Sequence, residues 1–288
     1  IRDAYIEGPD GHRVVDFADS NLHVVNYSAP IDTTISLEEL RPHLHSIPEM
    51  PDAIPYVTSY YKERWGFCLT HRQLQALKPG LYKVKIDSAL EDGSLSYGEL
   101  RLPGRSSKEI LLSTYVCHPS LGNNELSGPV VTVELARWLA GQSSRRYSYR
   151  IVFIPETIGS IVYLSHHLAD LKRNVFAGFN ITCVGDERAY SFLPSRKDRA
   201  GLEQFREHAL RHHAGQFVRY SYLDRGSDER QYCSPGIDLP IACIMRTKYG
   251  EYPEYHTSLD DLRLISPAGL GGAITALARA ISTLECNR

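Results

Sequence analysis

The chain has 288 residues, 42% of them hydrophobic and 23% charged, with a formal net charge of −2. That length and composition suffice for a full soluble core. The near-neutral charge, with no basic block, gives no electrostatic footprint for nucleic acid, and no apolar run approaches the roughly 18–20 residues of a membrane span. In chain order, residues 1–105 combine short alternating stretches, GLYKVKIDSAL and GSLSYGELRL, with dense turn signals, GPDG, EDGS and LPGR. They predict a small β-rich domain with little helix beyond LEELRPHL. Residues 106–288 read differently. KEILLSTYVC, YRIVFIPE, VFAGFNITCVG and LPIACIMRT are strand-like apolar runs. Helical patterns follow each of them: SGPVVTVELARWLAG, TIGSIVYLSHHLADL, GLEQFREHALRHH and SPAGLGGAITALARAISTLE. This alternation predicts an α/β domain, a mainly parallel (mixed) sheet flanked by helices. Functional residues in such sheets gather at the carboxyl ends of strands.

Six cysteines occur, Cys68, Cys117, Cys183, Cys233, Cys243 and Cys286, with no CxxC pair. Most lie in strand-like stretches, as in TYVCH and IACIM. They read as small buried apolar residues in a reducing cytoplasm.

Four polar clusters could carry chemistry. The first runs from Cys117-His118 to Asn123-Asn124-Glu125-Leu126-Ser127-Gly128. A His at a strand end followed by Ser-Gly opening a helix suits a ligand loop, with Ser127 as the helix cap; a plain turn is the bland alternative. The second is Pro155-Glu156-Thr157, where an acid at the end of an apolar strand either caps the next helix or works as a general base. The third holds Tyr252, Tyr255 and His256 on a loop, with Asp260 or Asp261 able to orient the imidazole. The fourth, Arg225-Gly226-Ser227-Asp228-Glu229, is either a solvated turn or a recognition loop.

Together the clusters resemble a bacterial aminopeptidase-like family of unknown function, with labels in polysaccharide biosynthesis and zinc peptidases. The matching stretches are DFADSNLHVVNYSAPI, IPYVTSYYKERWGFCL, STYVCHPSLGNNELSGP, PETIGSI, CVGDERAYSFLPSR, DRGSDERQYCSPGIDLP and MRTKYGEYPEYHTSLDDL. The family has further segments at both ends, so a longer parent protein is expected. The second domain is also similar to the zinc exopeptidases that include leucine aminopeptidases and glutaminyl cyclases.

The resemblance implies a zinc-exopeptidase-like site. It implies His118, the shared position Asn124 and His256 as metal ligands, and Glu156 as the general base on a metal-bound water. Tyr255 or Tyr252 would stabilise the oxyanion, and Asp186, Glu187, Arg225, Asp228 and Glu229 would recognise the substrate. Thr157 and Thr182 stand where dinuclear relatives carry further acidic ligands, which implies about one Zn2+ per chain. The shared position is Asn124 where the family has Asp, and an amide is the poorer ligand. Three accounts stay open: an Asp-to-Asn substitution that silences the enzyme, a natural weak-metal or metal-free relative, or Glu125 taking over the ligand role, which its Cα, one residue out of place, disfavours. The expected activity is zinc-dependent hydrolysis of a small aminoacyl or peptide amide. The alternatives are a catalytically weakened binding protein on a peptidase fold, or a single-zinc aminoacyl cyclase or transferase.

Overall fold

The computed structural model describes residues 1–198 and 201–286. The chain separates into two compact units. One comprises Ile1–Ser94, Pro119–Leu121 and Glu254–Asp260; the other comprises Leu95–His118, Gly122–Pro253 and Asp261–Arg288.

In the first unit, β1 (Asp3–Glu7), β2 (Arg13–Asp16), β3 (Ile31–Ser36) and β6 (Leu81–Asp87) form an antiparallel sheet in the order β2-β1-β6-β3. The short strands β4 (Leu44–His45) and β5 (Phe67–Cys68) pair in parallel. Alternate residues Ala4, Ile6, Val84 and Ile86 point into a core that also takes Leu40, Phe67 and Leu69. Helices α1 (Leu37–Leu40) and α2 (His71–Ala76) each start with a reciprocal capping box, Ser36 with Glu39 and Thr70 with Gln73.

The second unit is built on a seven-stranded sheet. Its strands are β7 (Gly98–Leu102), β8 (Glu109–Tyr115), β9 (Ser148–Ile154), β10 (Val175–Asn180), β11 (Ser191–Leu193), β12 (Val218–Arg219) and β13 (Ile241–Met245), in the order β12-β11-β13-β10-β8-β9-β7. The four central strands are parallel, while β7 and β11 run antiparallel to β9 and β13. The segment 98–102, whose alternation suggested the N-terminal domain, is thus an edge strand of this sheet.

Helices α3 (Ser127–Ala140), α4 (Ile158–Asn174), α5 (Leu202–Ala214), α6 (Glu229–Tyr232) and α7 (Pro267–Cys286) complete the unit. Every residue of β8 is buried, and its two faces feed different cores. Ile110 and Leu112 pack with Val131, Leu135, Leu277 and Ile281. Leu111 packs with Tyr163, Leu164 and Leu171. That split is the two-residue period of a strand covered on both faces. Gly128 explains how α3 comes so near the sheet: a Cβ there would stand 2.5 Å from Thr114 Oγ1 and 2.6 Å from the Ile181 carbonyl oxygen.

Near the amino-terminal end of the β8–β9 pair lies the fully buried Arg150. It donates to Glu109 at 2.8 and 3.1 Å, to Tyr163 at 3.3 Å, and also to Asp170. No described helix is long and apolar enough to cross a membrane.

Candidate active site

The carboxyl ends of β8 and β9 bring the first two clusters together. His118 is buried, whereas Cys117, expected inside the core, is exposed just past the strand end. His118 Nδ1 lies 3.1 Å from Cys117 Sγ and 3.3 Å from Glu125 Oε2. Two successive backbone N–H groups hold that carboxylate: Cys117 donates at 2.8 Å and His118 at 2.9 Å.

Glu125 comes from a π-helical turn, Gly122–Leu126, that runs straight into α3. A π turn carries one more residue per turn than an α-helix and shifts the phase of its side chains. This is how a carboxylate one residue out of place in the sequence reaches His118. The same turn removes the capping role expected of Ser127. Its hydroxyl instead donates to the Asn123 carbonyl at 2.6 Å and accepts the Val184 N–H at 3.0 Å.

Glu156 stands on the other side of the imidazole, with Oε2 3.7 Å from His118 Nε2. Ser227 donates its hydroxyl proton to Glu156 Oε1 at 2.7 Å, and the Glu156 N–H points at Cys117 Sγ at 3.3 Å. Burial pushes the Glu156 carboxyl up from its ordinary value. His118 and the Ser227 hydrogen bond oppose that shift, and the charges of Glu229 and Glu125 add to it. A carboxylate raised in this way suits general-base chemistry.

The residues expected to recognise substrate divide. Asp228 is fully buried; its Oδ1 accepts from the Thr157 N–H at 2.7 Å and the Ser160 hydroxyl at 2.8 Å. Burial, then the nearby charge of Glu156, pushes its carboxyl up to about 8. Glu229 is also fully buried and accepts from Tyr249 at 2.7 Å, Gly226 N at 2.9 Å and Asn180 at 2.9 Å. Asp186 is tied to the Thr247 hydroxyl at 2.6 Å, the Thr247 N–H at 2.9 Å and Asn123 at 3.1 Å. These three acids are internal braces rather than the open recognition groups expected, because their oxygens take hydrogen bonds from their own fold. Arg225 is half-buried with its guanidinium 4.8 Å from the Tyr222 ring centre. Glu187 is exposed and accepts from Ser266.

Asn124 is buried in a neutral network. Its Nδ2 donates to the Tyr115 hydroxyl at 2.6 Å, and that hydroxyl stands 2.5 Å from Thr182 Oγ1 and 2.8 Å from the Asn124 carbonyl oxygen. Tyr252 is buried in the same unit, its hydroxyl 3.9 Å from Cys183 Sγ. Tyr255 and His256 belong to the first unit. There their rings stack at 3.9 Å, and the His256 carbonyl accepts the Tyr56 N–H at 2.8 Å. The donor and ligand roles expected of them remain proposals.

Zinc takes nitrogen, sulfur and oxygen donors at about 2.0–2.3 Å. Cys117, His118 and Glu125 offer donor atoms that all lie within 4.8 Å of one another, so they fit a zinc ion by type and spacing. Cys117 and Ser227 are the functional candidates that the sequence reading did not assign, and Glu125 was its less favoured alternative ligand. The available signal was the carboxylate displaced by one residue in GNNELSG.

A mainly parallel sheet with these residues at its carboxyl edge defines an aminopeptidase-like α/β fold. The chain belongs to the family described as a domain of unknown function (DUF4910), whose pattern matches residues 7–287. A Clostridium acetobutylicum protein, named for polysaccharide biosynthesis with an aminopeptidase-like domain, is 44% identical over 288 residues. The match takes in 100% of this chain and 66% of that relative, so the chain spans just under two thirds of its length. A peptidase crystal structure from C. acetobutylicum superposes with a TM-score of 0.96 at 44% identity, covering 100% of this chain and 68% of that one. A Bacillus subtilis zinc aminopeptidase superposes with a TM-score of 0.69 at 14% identity, covering 100% and 83%. That last match speaks to the fold alone.

Proposed function

We propose that the chain is a zinc-dependent amidohydrolase of the aminopeptidase type, acting on a small aminoacyl or peptide amide with Glu156 as general base. The observation that carries this reading is the setting of Glu156: a raised carboxylate, oriented by Ser227, facing an imidazole within the reach of a metal-competent cluster. Cys117, His118 and Glu125 would hold about one zinc per chain. When bound, zinc supplies Lewis-acid polarisation of the scissile carbonyl and brings the pKa of a ligated water to roughly 7. Glu156 takes the proton from the attacking water and returns it to the leaving amine. The Ser227 hydrogen bond keeps one carboxylate oxygen occupied and so fixes which oxygen receives the proton. Arg225 is the candidate for a substrate carboxylate. The name of the C. acetobutylicum relative points to an aminoacyl conjugate of a surface polysaccharide or its precursor as the substrate class.

The test is Glu156→Gln in zinc-loaded protein, assayed on a panel of aminoacyl p-nitroanilides. Turnover is expected to fall by about 10²–10⁴-fold with zinc content by elemental analysis unchanged. Undiminished turnover would show that Glu156 is not the base. A second reading, a binding protein on a peptidase fold, draws on the neutral Asn124–Tyr115–Thr182 network. It predicts ligand binding with no hydrolysis of any amide in the panel.

A further inference from the structure

The Ser227-Asp228 dipeptide grips the segment 156–160 at three points. Ser227 Oγ donates to Glu156 Oε1 at 2.7 Å, and Asp228 Oδ1 accepts both the Thr157 N–H at 2.7 Å and the hydroxyl of Ser160, in the first turn of α4, at 2.8 Å. Thr157 has φ +61° and ψ −70°. A β-branched side chain at positive φ is strained, by on the order of 1–3 kcal/mol, and such a conformation persists only where its surroundings enforce it. No side-chain cap supports the start of α4; the side-chain bonds on this turn are those of Asp228 to Thr157 and Ser160 and that of the Ser160 hydroxyl to the Thr157 carbonyl at 2.9 Å, so Asp228 is the restraint that comes from outside the turn. Asp228 is 0% exposed, and its Oδ2 has no hydrogen-bond partner among the described residues. Burying a carboxyl group with one oxygen unsatisfied is costly. The N-cap residue of α4 is Thr157 itself, but at this backbone conformation its hydroxyl makes no cap bond, and Asp228 accepts the Thr157 N–H instead.

We propose that Asp228 is a positioning residue for Glu156, clamping the strained Thr157 turn through its Oδ1 so that the Glu156 carboxylate is aimed. The inference rests on the reading of Glu156 as the general base. What the clamp requires is an acceptor oxygen at Oδ1, so Asp228→Asn should preserve it and Asp228→Ala should abolish it. A glycine at 157 adopts positive φ without the Cβ clash, so Thr157→Gly should weaken the dependence on Asp228.

The experiment compares Asp228→Ala, Asp228→Asn and Asp228→Ala combined with Thr157→Gly, each zinc-loaded and each measured in two ways. The first is the kcat and KM split on the p-nitroanilide that the wild type turns over. The second is carbodiimide labelling of Glu156 at fixed pH, read by peptide mass spectrometry, which needs no turnover. Asp228→Ala is expected to lower kcat by about 10–100-fold, as misplacement of a reacting group by about 1 Å does, with KM unchanged and Glu156 labelling increased. Asp228→Asn should stay within about threefold of wild type in both measurements. The double variant should recover part of the loss.

Equal damage from Asp228→Asn and Asp228→Ala would overturn the clamp in favour of a charge effect. Unchanged labelling in Asp228→Ala would overturn the positioning role outright. If the wild type hydrolyses none of the panel, the hydrolase reading fails while the labelling comparison still decides the clamp. Should Asp228→Ala not fold, Asp228→Ser, which retains a shorter acceptor, replaces it with an intermediate effect expected in both measurements.

Discussion

At the amino-terminal end of the β8–β9 pair, the buried guanidinium of Arg150 is matched by Glu109 and Asp170. At the carboxyl-terminal end, Glu156, Asp228 and Glu229 are gathered with no Arg or Lys ion pair among the described residues; their neighbours are hydroxyls, amides, backbone N–H groups and His118. The first end hides its charge and balances it. The second gathers acids without a cationic side chain and leaves them to hydrogen bonds, so that Glu156 and Asp228 are raised and hold their protons more tightly. A buried site whose charges are not internally cancelled is a candidate for chemistry or for a cation, whereas a cancelled one serves the scaffold.

The largest effect should come from breaking the balanced end. Arg150→Met leaves Glu109 buried without its partner and should cost about 3–5 kcal/mol in chemical unfolding. Zinc content of the folded fraction should not change; a loss of zinc there would mean that the two ends are not independent.

The next effect belongs to the unbalanced end and depends on pH. The folded state holds the Asp228 carboxyl at about 8, against an ordinary value of 3.8. Between those values the folded chain keeps a proton that the unfolded chain has released. Stability therefore falls as pH rises from about 4 towards 8 and levels off above. Asp228→Asn carries no titrating group, so its stability relative to wild type should rise between pH 5 and pH 9, by on the order of 4 kcal/mol. Thermal melts at the two pH values check this; equal differences at both would place Asp228 in an ordinary carboxyl environment.

Ser227→Ala removes the hydrogen bond to the Glu156 carboxylate and the one accepted from Asn180, and should cost about 2 kcal/mol of stability. If both groups were free to find other partners, the cost would vanish. The smallest effect is expected from Thr157→Gly, where relief of strain and the entropy of glycine nearly offset each other, leaving a change within about 1 kcal/mol. A larger loss would mean that the Thr157 side chain itself is a necessary contact.

The alternation of apolar strand runs with 3.6-period helices was readable along residues 106–288, because both periods are local properties of the chain. His118 and Glu156 were readable for a related reason: each lies two or three residues past the end of an apolar strand, and strand ends in parallel sheets face the same edge. The sequence by itself also carried Asn124, Thr157 and Thr182 as departures from an acidic ligand set.

Only the tertiary structure decided the rest. Residues 98–102 join the larger sheet because pairing, not alternation, settles which sheet an edge strand enters. Glu125 reaches His118 because a π turn shifts the phase of the helix entrance, and hydrophobic period carries no signal of that shift. Asp186, Asp228 and Glu229 read as open substrate-recognition groups, yet each is buried. A carboxylate's environment is set by which backbone N–H groups and hydroxyls, tens of residues distant in the chain, fold against it.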